Sequence, residues 1–230
     1  MSIFLLNVRL YSLNKEVLMK QFFSKYSYAM VKMFVTQFAI GLFGAVLSFA
    51  VSSFSGNEST TLSSTEKTLL IVVSSFAILF YLFLTYTTIW EIGAKDKISA
   101  DVGKLKIKPW LGIVISLFAN IPNFIVAIIY SVCWFVSHGA EGTATNIAAF
   151  MKVIVLFIDG MYYGLLAAIG LGDGMLIDKW WSLFLIIIPA VLVCGVGYFL
   201  GTKDFHLTSM AQPLYPESDR DVKPKKFNKK

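Results

Sequence analysis

Charged residues, cysteine and histidine are scarce in this chain of 230 residues. Only 15% of the residues are charged whereas 57% are hydrophobic, and the mean hydropathy is +0.70. This balance excludes a water-soluble globule, and the 20 Phe, 10 Tyr and 5 Trp residues exclude a disordered chain. The two cysteines, Cys133 and Cys194, lie in apolar runs, so they give no basis for a disulfide framework or a cysteine metal site.

The motifs of common enzyme classes are also missing. His138 and His206 are the only histidines, and they lie too far apart to form a paired-histidine metal site on one helix. The sequence has no nucleophile elbow, no phosphate-binding Walker loop and no dinucleotide fingerprint. We therefore predict that the protein is not an enzyme and binds no cofactor.

Five long apolar runs dominate the chain. A helix that crosses the hydrocarbon core of about 30 Å needs about 20 apolar residues, because each residue adds about 1.5 Å. We predict an all-α integral membrane protein, a bundle of about five hydrophobic helices. The predicted spans are 33–54, 68–90, 110–136, 147–172 and 180–201.

The segments that flank this transmembrane domain are basic. In residues 1–32, apolar side chains recur at helical spacing with lysines between them, which indicates either an amphipathic helix on the membrane surface or an extension of the first span. We expect no cleaved signal peptide, because no basic segment precedes the first apolar residues. Residues 202–230 form a basic tail whose prolines and polar residues are typical of disorder.

Lysine and arginine predict the orientation, because basic residues in short loops stay on the cytoplasmic side. Five lie in residues 1–32 and five between Glu91 and Pro109, whereas the loop at 137–146 has none. We predict a multi-pass plasma-membrane protein whose N-terminus and whose loop from Glu91 to Pro109 are cytoplasmic. The seven basic residues of the tail favour a cytoplasmic C-terminus as well.

A cytoplasmic tail conflicts with five complete spans, because an odd number of crossings would export it. The conflict disappears if the fourth segment breaks near Asp159 and Gly160, so that two half-helices enter and leave the membrane on its outer side. The alternatives are five complete spans with an exported tail, since long tails can be translocated, or a wrongly assigned span elsewhere.

Several polar residues inside the spans are candidates for an intramembrane site, because ionisable groups are costly there. Lys152 and Asp159 lie two helical turns apart, about 10 Å along the axis, so a direct pair requires both side chains to stretch. Pro122 removes a backbone donor between Asn120 and Asn123 and predicts a kink in the third span. The four candidates either bind a polar ligand or ion, or stabilise helix packing, with Lys152 reaching to the interface.

Contacts with lipid and with other helices follow from the same patterns. Gly160 and Gly164, and likewise Gly197 and Gly201, are four residues apart, which predicts close helix packing within the chain or in a homo-oligomer. The basic segments predict contact with anionic lipid at the cytoplasmic face of the bilayer. They have few aromatic residues, so we predict no nucleic-acid binding.

Two stretches carry a resemblance to a known group of proteins. They are WEIGAKD at 90–96 and PAVLVCGVGYFLGTK at 189–203. With them the chain resembles small, uncharacterised multi-spanning membrane proteins of Gram-positive bacteria, in outline over the first, second, third and fifth spans. The resemblance implies a bacterial plasma membrane and supplies no activity and no site residues.

Two functions remain open from the sequence. The polar residues suffice for helix packing and are few for coupled transport, so we predict a non-enzymatic accessory or interaction subunit. The alternative is a small transporter or channel subunit that binds a polar ligand or ion near Asn120, Asn123 and Asp159.

Overall fold

The protein is predominantly helical in the part of the chain that its structure, a computed structural model, describes. The described residues are 2–54, 63–104, 106–137, 142–170, 174–203 and 205, with side chains in the first helix described at Glu16 and from Met19 onward. These residues contain no β-strand, which confirms the predicted all-α fold. The helices are α1 (Ser2–Phe54), α2 (Ser64–Asp101), α3 (Leu111–Ala119), α4 (Ile121–Ser137), α5 (Thr143–Asp159), α6 (Tyr163–Ala168), α7 (Ser182–Leu185) and α8 (Ile187–Thr202).

Four helical stretches are long and apolar enough to cross a membrane. The bent pair α3 and α4 passes the same test as one unit, so four to five stretches fit a multi-pass membrane protein. The four stretches are Met19–Ser53, Ser64–Asp101, Thr143–Ala168 and Ser182–Thr202.

The first helix joins two segments that the sequence analysis separated. Residues 1–32 and 33–54 fall largely within α1, which runs without a break because no glycine or proline interrupts residues 2–40. Tyr26, Met30 and Met33 are buried at helical spacing and belong to the core formed with α3 and α8. A location of residues 1–32 on the membrane surface stays a prediction.

The second helix is longer than the predicted span 68–90. It begins with a capping box, in which Ser63 Oγ accepts a bond from the Glu66 backbone N at 3.2 Å and the Glu66 carboxylate accepts one from the Ser63 backbone N at 3.4 Å. It ends only at Asp101, just before Gly103, whose φ of +73° favours glycine. Much of the predicted loop after Glu91 is therefore helix.

The predicted kink in the third span is confirmed. Helices α3 and α4 meet at Asn120 with a bend of 58°. Pro122 is the second residue of α4, where its missing N–H leaves no hydrogen bond unmade. At the bend, Asn120 Nδ2 donates a hydrogen bond to the Ser116 carbonyl oxygen at 2.9 Å.

The fourth apolar segment is broken at Asp159. This residue ends α5 with φ −121° and ψ 23°, and a 3₁₀ turn, Gly160–Tyr162, leads into the short helix α6. The backbone therefore leaves the α-helical path at the position named in one of the alternatives that the sequence left open, the broken fourth segment.

Contacts on both sides of the break show that the segment doubles back. Leu176 N donates to the Ile169 carbonyl oxygen at 2.9 Å, which holds the chain after α6 close to the end of that helix. Asp178, two residues after Leu176, accepts a bond from Lys152 of α5 at 2.5 Å. In one straight helix Lys152 and Ile169 would lie about 25 Å apart, too far to meet the same short turn. Helices α5 and α6 thus form a hairpin.

The hairpin reaches the middle of the bundle. Its tip residue Asp159 bonds Gln37, which lies about 25 Å along α1 from Phe54. Gly164, beyond the tip, faces Ser48 of α1 and Leu70 of α2, nearer the other end of these two helices. Although the hairpin is long enough to span a membrane by residue number, its two arms approach the centre from the same end of the bundle.

The other helices define the two ends of the bundle. Asp96, near the end of α2, bonds Tyr26 of α1 and Tyr198 of α8, so the beginning of the α1 span and the end of α8 lie together. We call this the Asp96 end. Ser131 of α4 bonds the Trp180 carbonyl oxygen just before α7, at the opposite end, which we call the Asp178 end. The span α1, the helix α2, the pair α3 and α4, and the pair α7 and α8 each connect the two ends.

Both small-residue pairs pack inside the chain. A Cβ at Gly160 would approach the Gly41 carbonyl oxygen of α1 to 2.5 Å, and a Cβ at Gly197 would approach the Tyr86 ring of α2 to 3.1 Å. Neighbouring helices can come this close only where one of the residues in contact has no side chain. Of the two predicted uses of these glycines, packing within the chain is the one observed.

Candidate functional site

The predicted site residues lie at three separate places in the bundle. Asp159 is at its centre, Asn120 and Asn123 are at the bend between α3 and α4, and Lys152 is at the Asp178 end. The sequence could not show this separation, because it depends on the hairpin and on the bend.

The central place is a carboxylate and amide pair between α1 and α5. Gln37 Nε2 donates to Asp159 Oδ1 at 2.5 Å, and the two residues are only 3% and 4% exposed. Tyr81 and Tyr162 lie within electrostatic range of the carboxylate. No lysine or arginine of the described chain forms an ion pair with it. Asp159 also ends α5, where the helix dipole disfavours a negative charge.

The second place is a chain of amides at the helix bend. Asn123 Nδ2 donates to Asn120 Oδ1 at 2.9 Å, and Asn120 Nδ2 donates to the Ser116 carbonyl oxygen. All three residues are buried. Asn123 Oδ1 has no hydrogen-bond partner among the described residues. Apart from Asn123 Oδ1, the polar atoms of both side-chain amides are therefore hydrogen-bonded at the bend between α3 and α4.

The third place is an ion pair at the Asp178 end. Lys152 Nζ lies 2.5 Å from Asp178 Oδ1 and 5.8 Å from the centre of the Tyr130 ring. Lys152 thus pairs with a residue beyond the hairpin and not with Asp159. The pair borders a groove of about 600 Å³ between α4 and α5, which Trp134 and Phe135 also line.

A fourth polar cluster was missed by the sequence analysis. Asp96 is 1% exposed and accepts bonds from Tyr26 Oη at 2.7 Å and Tyr198 Oη at 3.0 Å, while Lys25 Nζ lies 2.6 Å from its other oxygen. These contacts join α1, α2 and α8. Asp96 falls in the segment predicted to be a cytoplasmic loop, because the charged residues begin at Glu91.

A signal for this cluster was present in the helical spacing. Ile89, Gly93 and Asp96 follow one another at intervals of four and three residues, and all three are buried on one face of α2. The apolar count alone ends the span too early, because the inward-facing carboxylate of Asp96 shares the last three turns with the charged residues Glu91, Lys95, Lys97 and Asp101.

The described residues show what chemistry these places can support. No three His, Cys, Asp or Glu side chains come together there in an arrangement that would hold a metal ion. The carboxylates at 96 and 159 bind hydroxyl, ammonium or amide donors from other helices. Such contacts stabilise helix packing, and a buried carboxylate without a cation is in addition able to take up a proton or a small cation.

Fold and composition together define the class of this chain. It is an all-α, multi-pass membrane protein with four to five apolar stretches of spanning length. No protein-family model, curated protein or solved structure matches it.

Proposed function

We propose that the protein is a non-enzymatic accessory or interaction subunit of the plasma membrane. One observation carries the proposal: the three carboxylates buried in the described bundle are all bonded to groups of the same chain. Asp96 joins three helices, Asp159 joins α1 to the hairpin, and Glu66 closes the capping box of α2. Interhelical bonds of this kind are the usual role of sparse polar residues in membrane bundles.

The outward faces of the helices support contact with the bilayer. On α2, Val72, Phe76, Leu79 and Phe83 recur at three and four residues and are all more than half exposed. An apolar stripe of this kind is stable in hydrocarbon and costly in water. Lipid or the helix of a membrane partner therefore covers this face.

We propose that both termini are cytoplasmic and that the hairpin of α5 and α6 enters from the outer side. The Asp96 end carries Lys25, Lys106, Lys108 and Lys203, and basic residues favour the cytoplasmic side. The tail after Phe205 lies outside the described residues, but it follows α8 from this same end. The resemblance to membrane proteins of Gram-positive bacteria supports a bacterial plasma membrane.

Cysteine labelling tests this orientation. In a background lacking Cys133 and Cys194, a membrane-impermeant maleimide added to intact cells should label Ser64→Cys and leave Ser99→Cys and Ser218→Cys unlabelled until the cells are opened. Labelling of Ser218→Cys from outside would export the tail and contradict the proposed hairpin orientation.

A second function is favoured by Asp159 alone. Its carboxylate lies at the centre of the bundle, has a neutral amide as its hydrogen-bond donor and ends a half-helix. Binding of a proton or a small cation would neutralise it, as at the broken helices of transporters. The second candidate is therefore a small transporter or channel subunit coupled at Asp159, and the separate amide pair of Asn120 and Asn123 is its second polar place.

Flux through proteoliposomes separates the two functions. Wild type, Asp159→Asn and the exposed control Asp101→Asn are reconstituted, and proton, sodium and potassium movements are followed with indicator dyes. If the protein is an accessory subunit, the ion flux with all three proteins equals that of empty vesicles. The protein extracted from cell membranes then migrates as a stoichiometric complex, and Asp159→Asn preserves this complex. Flux in wild type and Asp101→Asn that is lost in a folded Asp159→Asn protein would establish the transporter instead.

A further inference from the structure

A groove between α1 and α3 lies at the Asp96 end of the bundle. It has a volume of about 470 Å³ and runs from Met19 and Phe22 on α1 to Leu111 and Phe118 on α3. The groove is open to the outside of the bundle, so a molecule in it would also contact whatever surrounds the helices.

The walls of this groove combine an apolar floor with a basic rim. The rings of Phe22 and Phe118 lie 5.7 Å apart between their centres, tilted by 50° to each other, and form the floor. Lys25, Lys106 and Lys108 line the rim, and among the residues that the structure describes no carboxylate lines the groove. The groove is therefore complementary to a molecule with a negative head and an apolar body.

The rim lysines keep donors free for such a head. The ammonium group of Lys25 has three N–H donors. Its ion pair with Asp96 uses one of them, and the Lys25 side chain stays 40% exposed. Neither Lys106 nor Lys108 has an ion-pair partner in the described part of the chain, and Lys108 lies 5.5 Å over the Trp110 ring. Three ammonium groups thus border one opening.

The surface beside the groove identifies the apolar body as a lipid chain. Trp110 is 53% exposed beside the lysines, at a position typical of a membrane interface. From there Ile113 and Leu117 continue the exposed apolar face of α3. A headgroup at the lysines would place its acyl chains along this face, whereas a free anion would leave the apolar floor empty.

We propose that this groove binds one anionic phospholipid. Its phosphate lies between Lys106 and Lys108, with Lys25 behind them, and its acyl chains cover Phe22, Phe118 and the adjoining face of α3. The site differs from general attraction to a charged surface because it combines a shaped apolar floor with lysines from two separate segments.

Lipid titration of the delipidated full-length protein, followed by native mass spectrometry, tests the proposal. Phosphatidylglycerol should bind at least about tenfold more tightly than phosphatidylcholine, given roughly fivefold for each lysine close to an anionic headgroup. Lys106→Gln with Lys108→Gln should weaken phosphatidylglycerol binding about thirtyfold. The control variant Lys95→Gln with Lys104→Gln removes the same charge at the Asp96 end but outside the groove. It should change phosphatidylglycerol binding by less than about twofold.

A second variant tests the floor without changing charge. Val114→Trp fills the groove and should also abolish tight phosphatidylglycerol binding, with the circular dichroism and elution volume of wild type as the check on folding. Equal binding of the two lipids, or Val114→Trp binding like wild type, would overturn the proposal. Displacement of phosphatidylglycerol by inorganic phosphate at equal concentration would show a free-anion site and overturn it as well.

Discussion

Replacing the two tyrosines that bond Asp96 should destabilise the bundle more than removing the lysine that pairs with it. Tyr26 and Tyr198 both donate to Oδ2 of a carboxylate whose side chain is 2% exposed, whereas Lys25 is 40% exposed. Hydroxyl bonds to a buried charge are worth about 1.5 to 3 kcal/mol each. A partly solvated ion pair is screened and contributes about 1 kcal/mol or less.

These magnitudes give a ranked set of variants. Tyr26→Phe and Tyr198→Phe should each lower the free energy of unfolding by about 1.5 kcal/mol or more, and Lys25→Gln by less than about 1 kcal/mol. Because both hydroxyls donate to one oxygen, the double tyrosine variant should deviate from additivity by on the order of 1 kcal/mol. Asp96→Leu orphans both hydroxyls and should be the most damaging, at about 3 kcal/mol or more.

The assay is unfolding in mixed micelles with increasing sodium dodecyl sulfate, followed by tryptophan fluorescence. Tyr28→Phe is the matched control, since Tyr28 lies on the same helix as Tyr26 and is 80% exposed. The reasoning would be refuted if both inner tyrosine variants unfolded like Tyr28→Phe, or if Lys25→Gln were the most damaging change.

Two further experiments test the hairpin and its ion pair. Gly41→Leu should cost about 3 kcal/mol and separate α1 from α5, because a Cβ there collides with the Ile158 carbonyl group, whereas Gly142→Ala has open space and should be neutral in the same unfolding assay. The pair of Lys152 and Asp178 is half exposed, so a double-mutant cycle should give a coupling below about 1 kcal/mol that falls at high salt. A coupling of several kcal/mol, insensitive to salt, would contradict this.

The candidate site was only partly visible in the sequence. Asp159 and Asn120 could be selected because a polar group inside an apolar run is rare and costly. The partner of Asp159 could not: Gln37 lies 122 positions away in the chain, and no local pattern links the two residues. Asp96 was assigned to a loop for a related reason, since its inward direction depends on where α1 and α8 pack.

The sequence by itself determined the medium and the secondary structure of this protein. Runs of about 20 apolar residues require hydrocarbon around them, and a backbone in hydrocarbon must form helices to satisfy its own hydrogen bonds. Pro122 likewise placed the kink of the third span, because proline lacks the donor that a straight helix needs.

Only the tertiary structure decided which elements meet. Both a straight span and a hairpin are compatible with the composition of 147–172, and contacts between Lys152 and Asp178 and between Leu176 and Ile169 select the hairpin. Hydropathy reports the free energy of transfer into hydrocarbon, and this free energy is nearly the same for a straight span and for a hairpin. Helix contacts instead depend on shape and on hydrogen bonds between residues far apart in the chain, and no local pattern records those.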